Sequence, residues 1–331
     1  MAIRPSAPRG ARVISVRGAY IAPGFIDLHV WGDPVAVSRD SVKGGATAFL
    51  AALGPEPPPQ LIADVAVRAQ ARRLEGAACL GLHLEGPFLN PARAGALAKR
   101  WMRRPTVQEV GRLARAAAGR LKLITIAPEL PGAMAAIRRC ATRGIAVSLG
   151  HSEADGRTAV QAVAAGARAV THVFNGMRPF HHRAFALVDA ALTDPRLVAM
   201  VIADGLHVDR AALRLLLRAK GPRGIALVTD SVRHQRGAWS LRAQAGAYYT
   251  PRGTLAGSAL TMIRAVRNMV ELAGASLEDA VRMASDIPAR LIGAAPERGT
   301  LAAGRRADLV AFDRRFRVRL VVVGGRVVKE T

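Results

Sequence analysis

The sequence predicts an α/β protein, a (β/α)8 TIM-type barrel with a small, reduced β-layer built from its two ends. Short apolar or β-branched runs alternate with helically spaced segments through most of the chain, the pattern of βαβ units around a parallel sheet. Eight such runs occur, at residues 23–29, 47–53, 79–85, 121–129, 145–151, 169–175, 197–204 and 225–230. Seven of them end in an acid, a histidine or both: Asp27 with His29, Glu85, Glu129, His151, His172, Asp204 with His207 close behind, and Asp230. Strand ends converge on one face of such a barrel, where catalytic residues come from several strands.

The connecting segments support the count. Residues 61–74 have helical spacing, residues 106–118 follow a Thr106 N-cap with Glu109 three positions on, and residues 209–219 stop at Gly221. Beyond the barrel, residues 258–273 and 276–292 read as two helices. Residues 307–312 and 320–328 then read as a β-hairpin or two short strands around Gly324-Gly325. With residues 11–22 they make the β-layer, so the predicted division is 1–21 with 300–331 for the layer and 22–299 for the barrel. No internal repeat or low-complexity stretch occurs, apart from a Pro-rich connection at 55–59.

Composition narrows the function classes. A chain of 331 residues, half of them apolar, buries a large core, which excludes disorder. No run of eighteen apolar residues is present, and residues 1–6 lack the apolar centre of a signal peptide, so a cytoplasmic protein without a membrane partner is expected. Cys79 and Cys140 sit in apolar, periodic segments and read as buried reduced thiols. The net charge of +24 would suit a polyanion, but the arginines are spread along helices, as at Arg112 and Arg115. Aromatics make up 4% of the chain and interleave with no basic block, so no nucleic-acid partner is expected. An anionic small molecule fits better.

Glu85, His151 and His172 bring a carboxylate and two imidazoles to one barrel mouth, a mixed site for zinc or a similar divalent ion. Three protein ligands leave a position for water, whose pKa the metal lowers toward neutrality. Asp230 ends the last barrel strand, and a carboxylate facing that water is suited to act as general base and then as general acid.

The motifs then form a known set. Ala22-Pro23-Gly24-Phe25-Ile26-Asp27-Leu28-His29 resembles the first-strand motif of the amidohydrolase superfamily. His83-Leu84-Glu85-Gly86-Pro87-Phe88-Leu89-Asn90, Gly150-His151-Ser152, Thr171-His172-Val173-Phe174-Asn175-Gly176-Met177, Ala203-Asp204-Gly205-Leu206-His207, Val228-Thr229-Asp230 and the segment 253–262 resemble those of the N-acetylglucosamine-6-phosphate deacetylases, in that family's order. The resemblance implies one divalent ion per subunit on Glu85, His151 and His172, zinc first, with iron, cobalt or manganese as alternatives. It implies Asp230 as acid/base catalyst and hydrolysis of N-acetylglucosamine 6-phosphate by a metal-bound water. Asn175 and the backbone at Gly176, Ala96, Leu255, Ala256 and Gly257 would hold sugar and acetamide, with Arg183 and His207 on the 6-phosphate. A homodimer is implied as well.

Departures from the family pattern matter as much. The family's two-metal members carry a second ligand two residues after the first-strand ligand; here Trp31 stands there, so a second metal is not expected. Leu97 follows Gly95-Ala96 where a histidine often polarises the acetyl carbonyl, and losing such a donor costs roughly a hundredfold in rate. The stretch 231–250 is short. These departures leave two alternatives, a deacetylase of another N-acyl amino sugar or small N-acyl compound, and a non-catalytic sugar-phosphate-binding relative.

Overall fold

The computed structural model describes residues 10, 13–72, 74–234 and 241–330, so the readings made on residues 1–6 fall outside it. Strands and helices alternate from the start: β1 (Tyr20–Pro23), β2 (Phe25–Gly32), α1 (Pro34–Ser41), β3 (Ala46–Leu53), α2 (Pro58–Arg68), β4 (Ala78–Glu85), α3 (Val107–Ala116), β5 (Leu121–Ile126), α4 (Ala133–Ala141), β6 (Ala146–Leu149), α5 (Gly156–Ala165), β7 (Ala169–Val170), α6 (Leu187–Thr193), β8 (Val198–Ile202), α7 (Arg210–Lys220) and β9 (Ile225–Val228). Strands β2 to β9 pair in sequence order, each parallel to the next. Every residue of β2 and β3 is buried, as expected of parallel strands covered on both faces. The sheet curls so that the Asp230 N–H, just past β9, donates to the His29 carbonyl in β2 at 2.9 Å. Nearby, Asp27 accepts from the Thr229 hydroxyl at 2.5 Å and from the Thr229 amide at 3.2 Å.

Each predicted run coincides with one of these parallel strands: β2 runs three residues past its expected end, β3 and β4 end as expected, and the later ladders stop early. The run 169–175 yields only Ala169–Val170, and the run 145–151 only Ala146–Leu149. The backbone leaves the ladder there because His151, His172 and Asp230 adopt positive φ. The helices keep their predicted signals: the Thr106 side chain accepts from the Glu109 amide at 3.1 Å, and Asp209 caps α7, which ends at Gly221. Thr106→Ala is expected to lower stability by about 1 kcal/mol, measured by denaturant unfolding with catalysis unaltered.

Two helix readings need correction, and the short stretch 231–250 carries strands: β10 (Ser231–His234) pairs parallel with β2 and with β13 (Leu255–Ser258), β12 (Ala247–Tyr249) folds antiparallel onto β13, and β11 (Arg242–Gln244) folds antiparallel onto β12. Residues 235–240 lie outside the described residues. The helix expected from 258 begins only at α8 (Met262–Asn268), because Ser258 still belongs to β13 and donates its N–H to the Asp230 carbonyl, and it widens into a π-turn at Met269–Ala273. The helix expected over 276–292 is broken at Ser285 (φ −133°, ψ −70°) into α9 (Leu277–Ala284) and α10 (Asp286–Leu291).

A separate antiparallel sheet has the order β1, β14 (Leu309–Phe312), β15 (Val318–Val323), β16 (Arg326–Glu330). Gly324 and Gly325 turn β15 into β16 as expected, and β1 and β14 extend that hairpin. The described chain is thus an α/β fold with a curled, mostly parallel twelve-stranded sheet and a four-stranded antiparallel one. Cys79 and Cys140 are buried and free, and burial pushes the Cys140 thiol up to about 12. Among the described residues no helix is long and apolar enough to cross a membrane.

Candidate active site

Glu85 is the last residue of β4, and His151, His172 and Asp230 follow β6, β7 and β9. The φ angles of these last three are 48°, 27° and 49°. That left-handed region is sparsely used by side-chain-bearing residues and is often found where function over-determines the backbone. It turns the three side chains toward Glu85. His151 Nε2 lies 2.9 Å and His172 Nε2 2.6 Å from the same oxygen, Glu85 Oε1. His29 Nε2 lies 3.3 Å from Glu85 Oε2 and 3.2 Å from Asp230 Oδ1.

Burial opposes ionisation of Glu85, yet the surrounding His29, His151 and His172 hold its carboxyl well below the usual carboxylate range. His151 Nδ1 is 2.7 Å from the Arg93 carbonyl, which only accepts, so that nitrogen carries a proton; burial lowers the pKa of the ring, and Glu85 beside Nε2 outweighs it and raises it. One carboxylate oxygen shared this closely by two imidazole nitrogens calls for positive charge among them. His29 Nε2 and His172 Nδ1 are buried without a hydrogen-bond partner. Ligand atoms of His29, Glu85 and His172 all lie within 4.8 Å of one another. Imidazole and carboxylate donors gathered this closely fit a divalent cation of the zinc type.

The sequence-derived set of Glu85, His151 and His172 is thus brought together, with His29 added to it. The sign was there in the first-strand motif, but only the fold brings His29 next to Glu85. Beneath lies a satisfied polar column: His83 Nε2 meets Thr125 Oγ1 at 2.9 Å, and Thr171 Oγ1 meets both Thr125 and Ser148. Burial, then the charge on His29, holds His83 neutral, well below the ordinary imidazole range.

A cavity of about 130 Å³ opens on these groups. Ala96, Asn175, Gly176, His207, Leu255, Ala256 and Gly257 line it, together with Glu85, His151, His172 and Asp230. Two of the glycines are required by space. A Cβ on Gly176 (φ 63°) would sit 3.0 Å from His151 Nδ1, and one on Gly257 (φ 133°) 2.6 Å from Val232 Cγ1. Asp204 Oδ2 accepts a hydrogen bond from His207 Nδ1 at 2.6 Å; burial opposes its ionisation, and His207 outweighs that and lowers its pKa. This fixes the imidazole's tautomer, leaving Nε2 for the cavity. Arg183 is not among the lining residues: it is exposed on the segment between β7 and α6. Trp31, Gly95, Leu97 and Ile202 complete the lining.

Residues 20–328 match the profile of the Amidohydrolase family. The chain belongs to the amidohydrolase family. Curated relatives of this amidohydrolase include the N-acetylglucosamine-6-phosphate deacetylase of Vibrio furnissii, 34% identical over 97% of this chain and 86% of that protein. That of Homo sapiens is 37% identical over 94% of this chain and 84% of its own. Among solved structures, the N-acetyl-D-glucosamine-6-phosphate deacetylase of Mycobacterium smegmatis superposes with a TM-score of 0.90 at 32% identity, covering 98% of the amidohydrolase chain and 91% of its own. A mutant of that enzyme, solved with N-acetyl-D-glucosamine-6-phosphate, gives 0.89.

Proposed function

We propose that this amidohydrolase removes the acetyl group of N-acetylglucosamine 6-phosphate, releasing glucosamine 6-phosphate and acetate. One observation carries the reading: deacetylases of that name align with the chain over 97% and 94% of its length. The curled sheet is read as a closed (β/α)8 barrel over residues 22–299. The Asp230–His29 backbone bond and the Asp27–Thr229 contacts, which tie the last of the eight parallel strands to the first, support it. Residues 1–21 and 300–331 are assigned to the β-layer.

One divalent ion per subunit, zinc first and otherwise iron, cobalt or manganese, would be held by Glu85, His151 and His172. Bound there, it supplies a Lewis acid that polarises the acetyl carbonyl and makes water acidic near neutral pH. Arg93 orients the His151 ring through its carbonyl, as outer partners of metal-binding imidazoles do. Asp230 takes the proton of the attacking water and returns it to the departing amine. Asn175 and the backbone at Ala96, Gly176 and Leu255–Gly257 hold the sugar and acetamide. His207 and Arg183 receive the 6-phosphate, Arg183 from outside the cavity wall.

A cytoplasmic homodimer completes the proposal. Phe180 and Phe185, 58% and 48% exposed beside Arg183, suit burial against a second copy.

The test is acetate release from N-acetylglucosamine with and without the 6-phosphate, using zinc-loaded protein. Preference for the phosphorylated sugar is expected; no acetate from either would end the proposal. Arg183→Ala is expected to raise KM for the phosphorylated sugar roughly tenfold or more, since a hydrogen bond to a charged group contributes about 1.5–3 kcal/mol. The unphosphorylated sugar should be indifferent to the change, and an equal loss on both would rule out a phosphate contact.

A further inference from the structure

We propose that Trp31 is a positioning residue for Asp230: its indole N–H clamps one carboxylate oxygen and leaves the other to handle the proton. The inference rests on the deacetylase reading in taking Asp230 as the base. Trp31 lies near the end of β2, and its Nε1 donates to Asp230 Oδ1 at 2.9 Å across 199 residues of sequence. His29 Nε2 lies 3.2 Å from the same oxygen. Both contacts fall on Oδ1, so Oδ2 is the oxygen left for water and the leaving amine.

An indole N–H is a donor and nothing else. It can therefore only donate to Asp230 and does not compete for the proton that Asp230 receives. A histidine or serine in its place could reverse roles and take that proton itself. One oxygen fixed in this way also sets the carboxylate plane, which matters because small misplacements of a reacting group cost large factors in rate.

The ring itself is held. Trp31 is 4% exposed and packs with Leu89, Leu97, Met102 and Val232, and it meets the His29 ring edge-on at 5.8 Å and 73°. A Cβ on Gly54 would come within 3.0 Å of Trp31 Cη2 and 3.4 Å of Leu97 Cδ2, so a glycine leaves the indole its place. Leu97 supplies no polarising donor, but it is part of the packing that keeps the indole still. A wall meant only to exclude water would need an apolar ring; an N–H aimed at the carboxylate is beyond that need.

Trp31→Phe keeps an aromatic ring and removes the donor. The expected result is a kcat about 10- to 100-fold lower, the range seen when outer partners of a reactive centre are removed. KM and metal content per subunit should match the wild type, while the melting temperature falls modestly from the lost hydrogen bond and the smaller buried ring. An unchanged kcat, or a loss that follows KM or metal content, would overturn the proposal.

A second measurement needs no turnover and no Trp31 variant that performs. The chain has three tryptophans, so the indole 15N–1H resonance that Trp31→Phe deletes is assigned directly. It should lie downfield of the other two and move upfield in Asp230→Ala. A resonance that stays put would overturn the contact itself. Wild-type protein that releases no acetate would overturn the deacetylase reading and the role of Trp31 with it, while the shift in Asp230→Ala would still stand as evidence of the contact.

Discussion

Asp230→Asn is expected to keep its metal and its fold and to lose about a thousandfold or more in kcat. The amide is isosteric with the carboxylate and accepts the Trp31 N–H through its oxygen, so the local packing is preserved. Asparagine also tolerates the left-handed backbone at this position, where φ is 49°. What it cannot do is take a proton from water, and general base catalysis contributes roughly 10²–10⁴-fold. Metal analysis and thermal unfolding should agree with the wild type while steady-state turnover collapses. Activity within tenfold of the wild type would remove Asp230 from the mechanism.

Glu85→Gln should act one step earlier, on the ion. Oε1 of Glu85 is shared by His151 and His172, and its charge is what the surrounding imidazoles stabilise. A neutral amide leaves the imidazoles without their anionic partner and turns an N–H₂ or a weaker oxygen toward the ion. Removing an outer partner alone costs about 10–100-fold in metal affinity, and removing a ligand should cost at least that. Added zinc should therefore raise the melting temperature of the wild type, since a ligand at a hundred times its Kd contributes about 2.7 kcal/mol, and should raise that of Glu85→Gln far less. Turnover at limiting zinc should fall in parallel. Equal zinc responses in both proteins would show that Glu85 does not hold the ion.

The eight parallel strands were legible because two buried faces leave each as an unbroken apolar run, and because the polar residue closing the run breaks that pattern sharply. The same reasoning overextended the strands: composition cannot show that His172 already leaves the ladder two residues past Val170. The hairpin β11–β12 was invisible for a different cause. Arg242–Gln244 is exposed throughout, so no alternation marks it as a strand, and its pairing depends on partners that the fold supplies. The break at Ser285 hides inside a continuous helical periodicity. In the site, the motif named Glu85, His151, His172 and Asp230. Motifs say which residues are present and not which way they face, which is why the exposed place of Arg183, outside the cavity lining, could not be read from them. The bond from Trp31 to Asp230 spans about three-fifths of the chain, and no local signal could announce it.

Residues placed in sparsely populated backbone regions cost on the order of 1–3 kcal/mol each, against a total stability of roughly 5–15 kcal/mol for ordinary domains. His151, His172 and Asp230 all carry that burden at strand ends. Glycine at 151 or 172 would relieve it, and although both rings are buried, neither belongs to the apolar core. A library screened only for heat resistance should therefore empty the mouth of its imidazoles early, so that the hardiest descendants of this chain would be inert ones.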